Sequence, residues 1–332
     1  MKNIVLGAVV AFLPLISVAS VPKHSAAYYE TQKPEVQEAW RKGAKAKIIY
    51  RIVDDEDKPL PNQRVGFSWQ NDYPRKEWGG YATTDTNGIV ILQDKVGGQM
   101  TVGVCQDGYY GSGDRVVFCA RDGISPLVKD GKWQPYGERR TLVVKRKRCP
   151  IDKPTLFDTA IRVPATNVWL GLDMETFKLA APYGDGAHAD MLLRFNSEPI
   201  NKYVPKWATM EVSFTNNPHA GFYVLPKENF SFMNSAYNAD TNMLYQTSRT
   251  FRIGRMPSDQ DILDENSYMV FRTRTTVDDK GRLVSAHYGK IYGPWFIWRN
   301  TRARMMFFNT TPNDTNLEDM ASYKKSESMN VR

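Results

Sequence analysis

Cysteine and histidine are scarce, three of the first and four of the second in 332 residues. So few cysteines exclude a disulfide framework, and Cys105, Cys119 and Cys149 lack the Cys-x-x-Cys spacing of a redox or zinc site. A histidine-based zinc site needs His188, His219 and His287 to converge from distant segments, because His24 belongs to the chain start. Asp185, His188 and Asp190 lie close together, yet one histidine between two carboxylates is ordinary turn composition. The Asp-rich stretches Asp54-Asp55-Glu56-Asp57 and Asp85-Thr86-Asn87 do not follow calcium-loop spacing. No metal and no cofactor is expected. A Gly-x-Ser-x-Gly elbow, a His-Glu-x-x-His helix and a Walker loop are also missing, so no catalytic residue can be named from a motif.

Long apolar runs are absent after residue 20, and a bilayer-spanning helix needs about twenty such residues. The single earlier run, from Ile4 to Val18, follows Lys2 and ends in small residues. Ser17 and Ala19 occupy the −3 and −1 positions that a signal peptidase reads. Residues 1–19 are therefore expected to be a signal peptide and the mature chain, from Ser20, to be exported: periplasmic, secreted or surface-associated, with no transmembrane segment. No cysteine near the cleavage point offers a site for a lipid. The net charge of +8 falls by one with Lys2, and part of the remainder is concentrated in Lys145-Arg146-Lys147-Arg148. That run reads as the solvated end of an edge strand, where basic side chains discourage strand addition. Nucleic acid is not an expected partner.

What is abundant is aromatic: seventeen Tyr, fifteen Phe and eight Trp, set in short alternating runs between Gly, Pro and Asn. This composition predicts an all-β chain. One short N-terminal helix is expected over residues 35–47, with Pro34 at its first turn and Val36, Ala39, Trp40 and Ala44 at helical spacing. Residues 102–105 and 115–119 read as strands about Asp107-Gly-Tyr-Tyr-Gly-Ser-Gly113. A hairpin centred on Ser112 sets Cys105 opposite Cys119, the preferred disulfide, with pairings to Cys149 left open.

Residues 46–148 carry a run of further signals. An alternating strand leads into Asp55-Glu-Asp-Lys-Pro-Leu-Pro61, then a strand, then Thr83-Thr-Asp-Thr-Asn-Gly88, a short apolar strand and Met100-Thr-Val-Gly-Val104 before Asp107-Gly-Tyr-Tyr110. This succession resembles the carboxypeptidase regulatory-like domain, which implies a transthyretin-like, Ig-like β-sandwich with a structural or interaction role and no catalytic residues to carry over. Residues 71–80, with Tyr73 and Trp78, depart from the pattern as a longer connection and a second candidate binding loop.

The order of signals predicts five segments: signal peptide 1–19, an N-terminal segment with the helix 20–45, the sandwich 46–148, a second antiparallel β domain 149–317 of sandwich or jelly-roll kind, and a flexible tail 318–332. In the second domain Val277-Asp-Asp-Lys-Gly281 is the clearest hairpin. Ala181-Pro-Tyr-Gly-Asp-Gly186, Ser285-Ala-His-Tyr-Gly-Lys-Ile-Tyr-Gly-Pro294 and Thr311-Pro-Asn-Asp-Thr-Asn-Leu317 resemble an uncharacterised region of exported bacterial proteins, which adds no chemistry.

Tyr288-Gly-Lys-Ile-Tyr-Gly-Pro-Trp-Phe-Ile-Trp298 is the densest aromatic stretch. Aromatic rings stack on the apolar faces of sugars, so Tyr292, Trp295 and Trp298 form a candidate glycan platform with Asp278 and Lys290 as polar orienters. The competing reading places these rings in a core. The function expected is non-catalytic: recognition, adhesion or envelope structure, with an extracellular polysaccharide or envelope component as partner. The alternative is a secreted polymer hydrolase using Asp173, Glu175 and Glu211 in one cleft. Oligomeric state is not encoded in any pattern visible here.

Overall fold

A computed structural model describes residues 30–72, 75–118, 126–151, 156–199, 205–215, 217–228, 231–254, 260–298 and 300–318. The expected signal peptide, Tyr73 and Cys119 lie outside them. Among the described residues the chain divides into two compact units, 30–147 with 231–234 and 148–228 with 235–318. Both are built from antiparallel-dominated sheets, so the all-β class is observed, and one helix is present among the described residues.

That helix, α1, covers Pro34–Lys42 and buries Val36, Ala39 and Trp40. It is shorter than expected because Gly43, at φ +77°, leaves the helical region and its N–H closes on Ala39 O at 2.8 Å. Ala44 and Ala46 are buried in the strand that follows, not on the helix.

The first unit holds β1 (Ala44–Asp54), β2 (Arg64–Asp72), β3 (Arg75–Thr83), β4 (Ile89–Val96), β5 (Gln99–Val104), β6 (Ser112–Val117), the short β7 (Val128–Lys129) and β8 (Lys132–Trp133), and β9 (Glu138–Val144). One sheet runs β4-β1-β8-β7 with β9 also on β1, and the other runs β3-β2-β5-β6. Period-two burial decides which face turns inward: Ala46, Ile48, Tyr50 and Ile52 of β1 meet Val65 and Trp69 of β2 and Met100, Val102 and Val104 of β5 in one apolar core. Each such buried aliphatic contributes about 1.5–3 kcal/mol, which is why a one-residue slip is excluded. A polar tie crosses the same core. The Tyr50 hydroxyl donates to Asp114 at 2.7 Å and Arg140 donates to the same carboxylate at 3.1 Å. Burial, then the Asp114 charge, pushes the phenol far up.

Two expectations in this unit are corrected. Residues 71–80 are largely strand, because β2 and β3 continue their ladder to Asp72↔Arg75. The β5–β6 register, Val104↔Ser112, centres the turn on Gly108 rather than Ser112. Cys105 then faces Gly111, with its Sγ 3.9 Å from where a Cβ would stand, and the geometric reason for a Cys105–Cys119 bond is lost. Cys105 and Cys149 are not joined to one another.

The second unit holds β10 (Leu156–Arg162), β11 (Trp169–Asp173), β12 (Lys178–Leu179), β13 (Met191–Pro199), β14 (Pro205–Ser213), β15 (Gly221–Pro226), β16 (Ser248–Gly254), β17 (Ser267–Val277), β18 (Leu283–Trp298) and β19 (Asn300–Asn309). They form two five-stranded sheets, β10-β19-β18-β17-β15 and β12-β11-β13-β14-β16. The β17–β18 hairpin turns where expected, with Gly281 at φ +73°. Leu170, Leu172, Leu193, Met210, Val212 and Phe251 of one sheet pack on Met269, Phe271, Ile291 and Trp295 of the other. The first sheet is buried on its second face too, by Tyr223, Tyr245, Tyr268, Tyr288, Tyr292 and Leu317. Glu318, expected in a flexible tail, is buried and accepts the backbone N–H groups of Arg148 and Cys149 at 2.8 and 2.7 Å.

Candidate functional site

The proposed glycan platform falls on β18 and is divided by it. Ile291 and Trp295 turn into the core between the sheets, where Trp295 is 1% exposed and its ring lies 6.0 Å from that of Phe251. Tyr292 turns to the opposite face and packs near Tyr268. Lys290 is also fully buried there. Its ammonium donates to Ser235 Oγ at 3.1 Å and to the Tyr292 hydroxyl at 3.2 Å, and that hydroxyl donates to Ser235 at 2.8 Å. These rings offer no face to a sugar, which corrects the stacking expectation for Tyr292 and Trp295 and the orienting role for Lys290. The physical reason is that β18 is a central strand with both faces covered. Asp278 is far along the chain in the hairpin turn, where its carboxylate accepts from the N–H groups of Lys280 and Arg282 at 2.9 and 2.8 Å. Those bonds and the Arg282 side chain hold it below the usual carboxylate range. The side chains of Trp298 and Trp78 fall outside the described residues; in backbone register Trp78 opposes Trp69.

The carboxylates proposed for hydrolysis are separated as well. Asp173 and Glu175 converge with Asp190 on Arg274, while Glu211 pairs with Arg194 on another strand pair. Arg274 has φ +48° at an irregularity in the β17–β18 ladder. That backbone turn aims its guanidinium at the β11–β12 hairpin. It reaches Asp190 with two bonds of 2.9 and 3.0 Å, Glu175 at 2.8 Å and Asp173 at 3.3 Å. Burial alone disfavours the guanidinium's charge, but the Asp190 and Glu175 hydrogen bonds outweigh it and push its pKa above the ordinary value. Asp173 also accepts from the N–H groups of Glu175, Thr176 and Ala187. The cluster is a clamp between the two sheets, not a pair of carboxyls facing a cleft.

Other charged runs are similarly engaged. Asp54 accepts from the backbone of Glu56 and Lys58 at 2.9 Å each and from Arg146 at 2.6 Å. Lys145 is buried, Arg146 and Lys147 lie over Tyr109 and Tyr110, and the Arg148 guanidinium stacks 4.1 Å above Tyr237. Of the basic run Lys145 is thus buried, while Arg146 and Arg148 rest on these rings and stay exposed to solvent. Asp85 closes its own turn, Asp185 pairs with Lys178 at 2.8 Å, and among the described residues no group of metal-ligating side chains forms.

Among the described residues, one sheet face of the second unit is left partly exposed. Leu170, Leu172, Leu193, Phe195, Met210, Val212 and Phe251 of β11, β13, β14 and β16 turn into the core, while Trp169, Arg194, Asn196, Thr209, Glu211, Thr250 and Arg252 between them are exposed or half-buried. Cross-strand register sets Trp169, Arg194, Glu211 and Thr250 in a row. Trp169 is 42% exposed. The Arg194 guanidinium lies 4.7 Å from its ring centre and binds Glu211 through two bonds of 3.2 and 2.5 Å, so the ring is held against a fixed plane. The neighbouring rows present Asn196, Thr209 and Arg252, then Glu198 and Trp207. The indole N–H of Trp207 donates to Glu198 at 2.8 Å, and Lys206 donates to the same carboxyl at 3.1 Å. Lys206 first, and Trp207 second, hold Glu198 below the usual range. Sequence reading missed this face because its residues lie on four strands far apart in the chain.

No family model matches this chain, and no curated protein does. Among solved structures, 3-chlorocatechol 1,2-dioxygenase from Rhodococcus opacus 1CP aligns at 12% identity and a TM-score of 0.25, over 32% of this chain and 61% of that one. Chlorocatechol 1,2-dioxygenase from Pseudomonas putida aligns at 12% and 0.26, over 31% and 61%. Catechol 1,2-dioxygenase from Acinetobacter sp. ADP1 aligns at 15% and 0.24, over 34% and 58%. The chain thus spans about three fifths of the length of these enzymes. Likeness at this level carries no argument about fold or activity.

Proposed function

We propose that this chain is an exported, non-catalytic protein that recognises an extracellular glycan or a glycan of the cell envelope. The observation that carries the reading is Trp169. It is a large, partly exposed ring with the Arg194 guanidinium against it, itself paired with Glu211, and with Asn196, Thr209 and Thr250 on the neighbouring strands of the same sheet face. Such a surface suits a ligand with alternating apolar ring faces and hydroxyl edges. The signal-peptide pattern of residues 1–19 supports export, and the resemblance of residues 46–148 to a regulatory-like sandwich supports an interaction role for the first unit. The hydrolase reading loses its proposed acid pair, since Asp173 and Glu175 are drawn onto Arg274 and Glu211 onto Arg194.

The test is a glycan array probed with the mature protein, recovered from the periplasm or medium with Ser20 as its first residue, beside Trp169→Ala. Selective binding that drops about tenfold or more in the variant is the expected result. Binding of equal strength in the variant refutes this site, and a chain retained in the cytoplasm with residues 1–19 intact refutes export.

A further inference from the structure

The charges on the open face point to the kind of ligand it takes. Arg194 is matched by Glu211 through two hydrogen bonds, and Glu198 by Lys206. The remaining polar groups of the central rows, Asn196, Thr209 and Thr250, are uncharged, and Arg252 is the one further cation in those rows. An acidic polymer needs several cations in excess of local anions, because each ion pair at an exposed surface is weak and screened. Apart from Arg252 the charges of this face are matched internally, and its other polar side chains are uncharged donors and acceptors.

Its geometry adds a length requirement. Trp169 opposes Arg194 on β13 and Trp207 opposes Glu198, so the two indoles stand two strands apart and four residues along. At about 4.8 Å between strands and about 3.3 Å per residue, their backbones are roughly 16 Å apart on a diagonal of the sheet. A single sugar ring covers one of them. Only a chain of rings covers both, crossing Arg194, Asn196 and Thr209 on the way.

We infer that the face formed by β11, β13, β14 and β16 binds an uncharged oligosaccharide lying diagonally from Trp169 to Trp207. This inference rests on the glycan reading above and narrows it. Two bond networks pre-position the rings, Arg194–Glu211 at one end and Lys206–Glu198 at the other, which lowers the ordering cost of binding.

The test is titration calorimetry of the full mature chain with neutral gluco-, manno-, galacto- and N-acetylgluco-oligosaccharides of increasing length, and with uronic-acid oligosaccharides of the same lengths, at low and high salt. The inference expects a neutral series to bind, affinity to rise with length until both indoles are covered, and salt to change it by less than about twofold. Trp169→Ala and Trp207→Ala should each weaken a long oligomer about tenfold, while Trp207→Ala leaves the shortest binding oligomer unchanged. Unaltered thermal melts of both variants show that the loss is local. Preference for the uronic series, or affinity falling steeply with salt, overturns the uncharged-ligand inference and leaves glycan recognition standing. Equal affinity for monosaccharide and oligomer overturns the diagonal site. No binding in either series overturns the glycan reading itself.

Discussion

Replacing Arg274 by Met tests whether the clamp between the sheets is what orders the second unit. In the native chain the guanidinium serves three carboxylates, of which Asp173 and Asp190 are 2% exposed in their side chains and Glu175 is 45% exposed. Met preserves much of the volume and removes the cation, leaving two buried carboxylates side by side. Removing one partner of a buried ion pair costs about 3–5 kcal/mol. The lower end applies here, because Arg274 is 18% exposed and Glu175 faces water. The three N–H donors of Asp173, and the Met174 N–H on Asp190, persist in the variant. About 3 kcal/mol is the expected loss, and a transition of the second unit lowered by roughly 6–12 °C. Scanning calorimetry of the full chain reads it, with the first unit's transition as an internal control. Adding Asp190→Asn to Arg274→Met should recover part of the loss. A loss under about 1 kcal/mol refutes the clamp.

Asp54 is 1% exposed and its folded pKa is depressed: burial opposes the charge, but the Lys58 and Glu56 N–H groups and Arg146 outweigh it. Its contribution is therefore present above the ordinary Asp value of about 3.9 and lost as pH falls through the lower folded value. Asp54→Asn should cost about 1–2 kcal/mol at neutral pH, discounted for the exposed Arg146, and flatten the acid limb of the first unit's denaturation curve; an acid limb of unchanged steepness counts against it. Trp295→Ala removes a ring from the inter-sheet core and should cost about 3–5 kcal/mol in chemical denaturation. A loss below about 1 kcal/mol would show that the ring is not packed as described.

Much of the architecture was legible because burial in these strands has period two. Val277 to Gly281 turned the hairpin that its Asp and Gly demand, between β17 and β18. Errors arose where a local signal admitted two answers. Ala44 fits a helix stripe and an inward strand position equally, and Gly43 decided between them. The hairpin after Cys105 has glycine at Gly108, Gly111 and Gly113, so its centre could not be read from composition. The +79° φ of Gly108 fixed it, and the cysteine argument went with the register.

The two candidate surfaces differ in exposure for one reason. A run of aromatics in one strand has one composition whether it faces a sugar or a core, and what decides is the number of sheet faces the fold covers. For β18 the answer is both, because the tyrosine cluster with Leu317 packs over the side away from the inter-sheet core. A density of aromatics along the chain is therefore evidence of burial in a central strand as much as of binding. An open face needs its members spread one per strand, as Trp169, Arg194, Glu211 and Thr250 are. Apart from Glu211, none of these stands out in its own segment, and they come together only through antiparallel register. Sequence proximity selects for core here, and cross-strand register selects for surface.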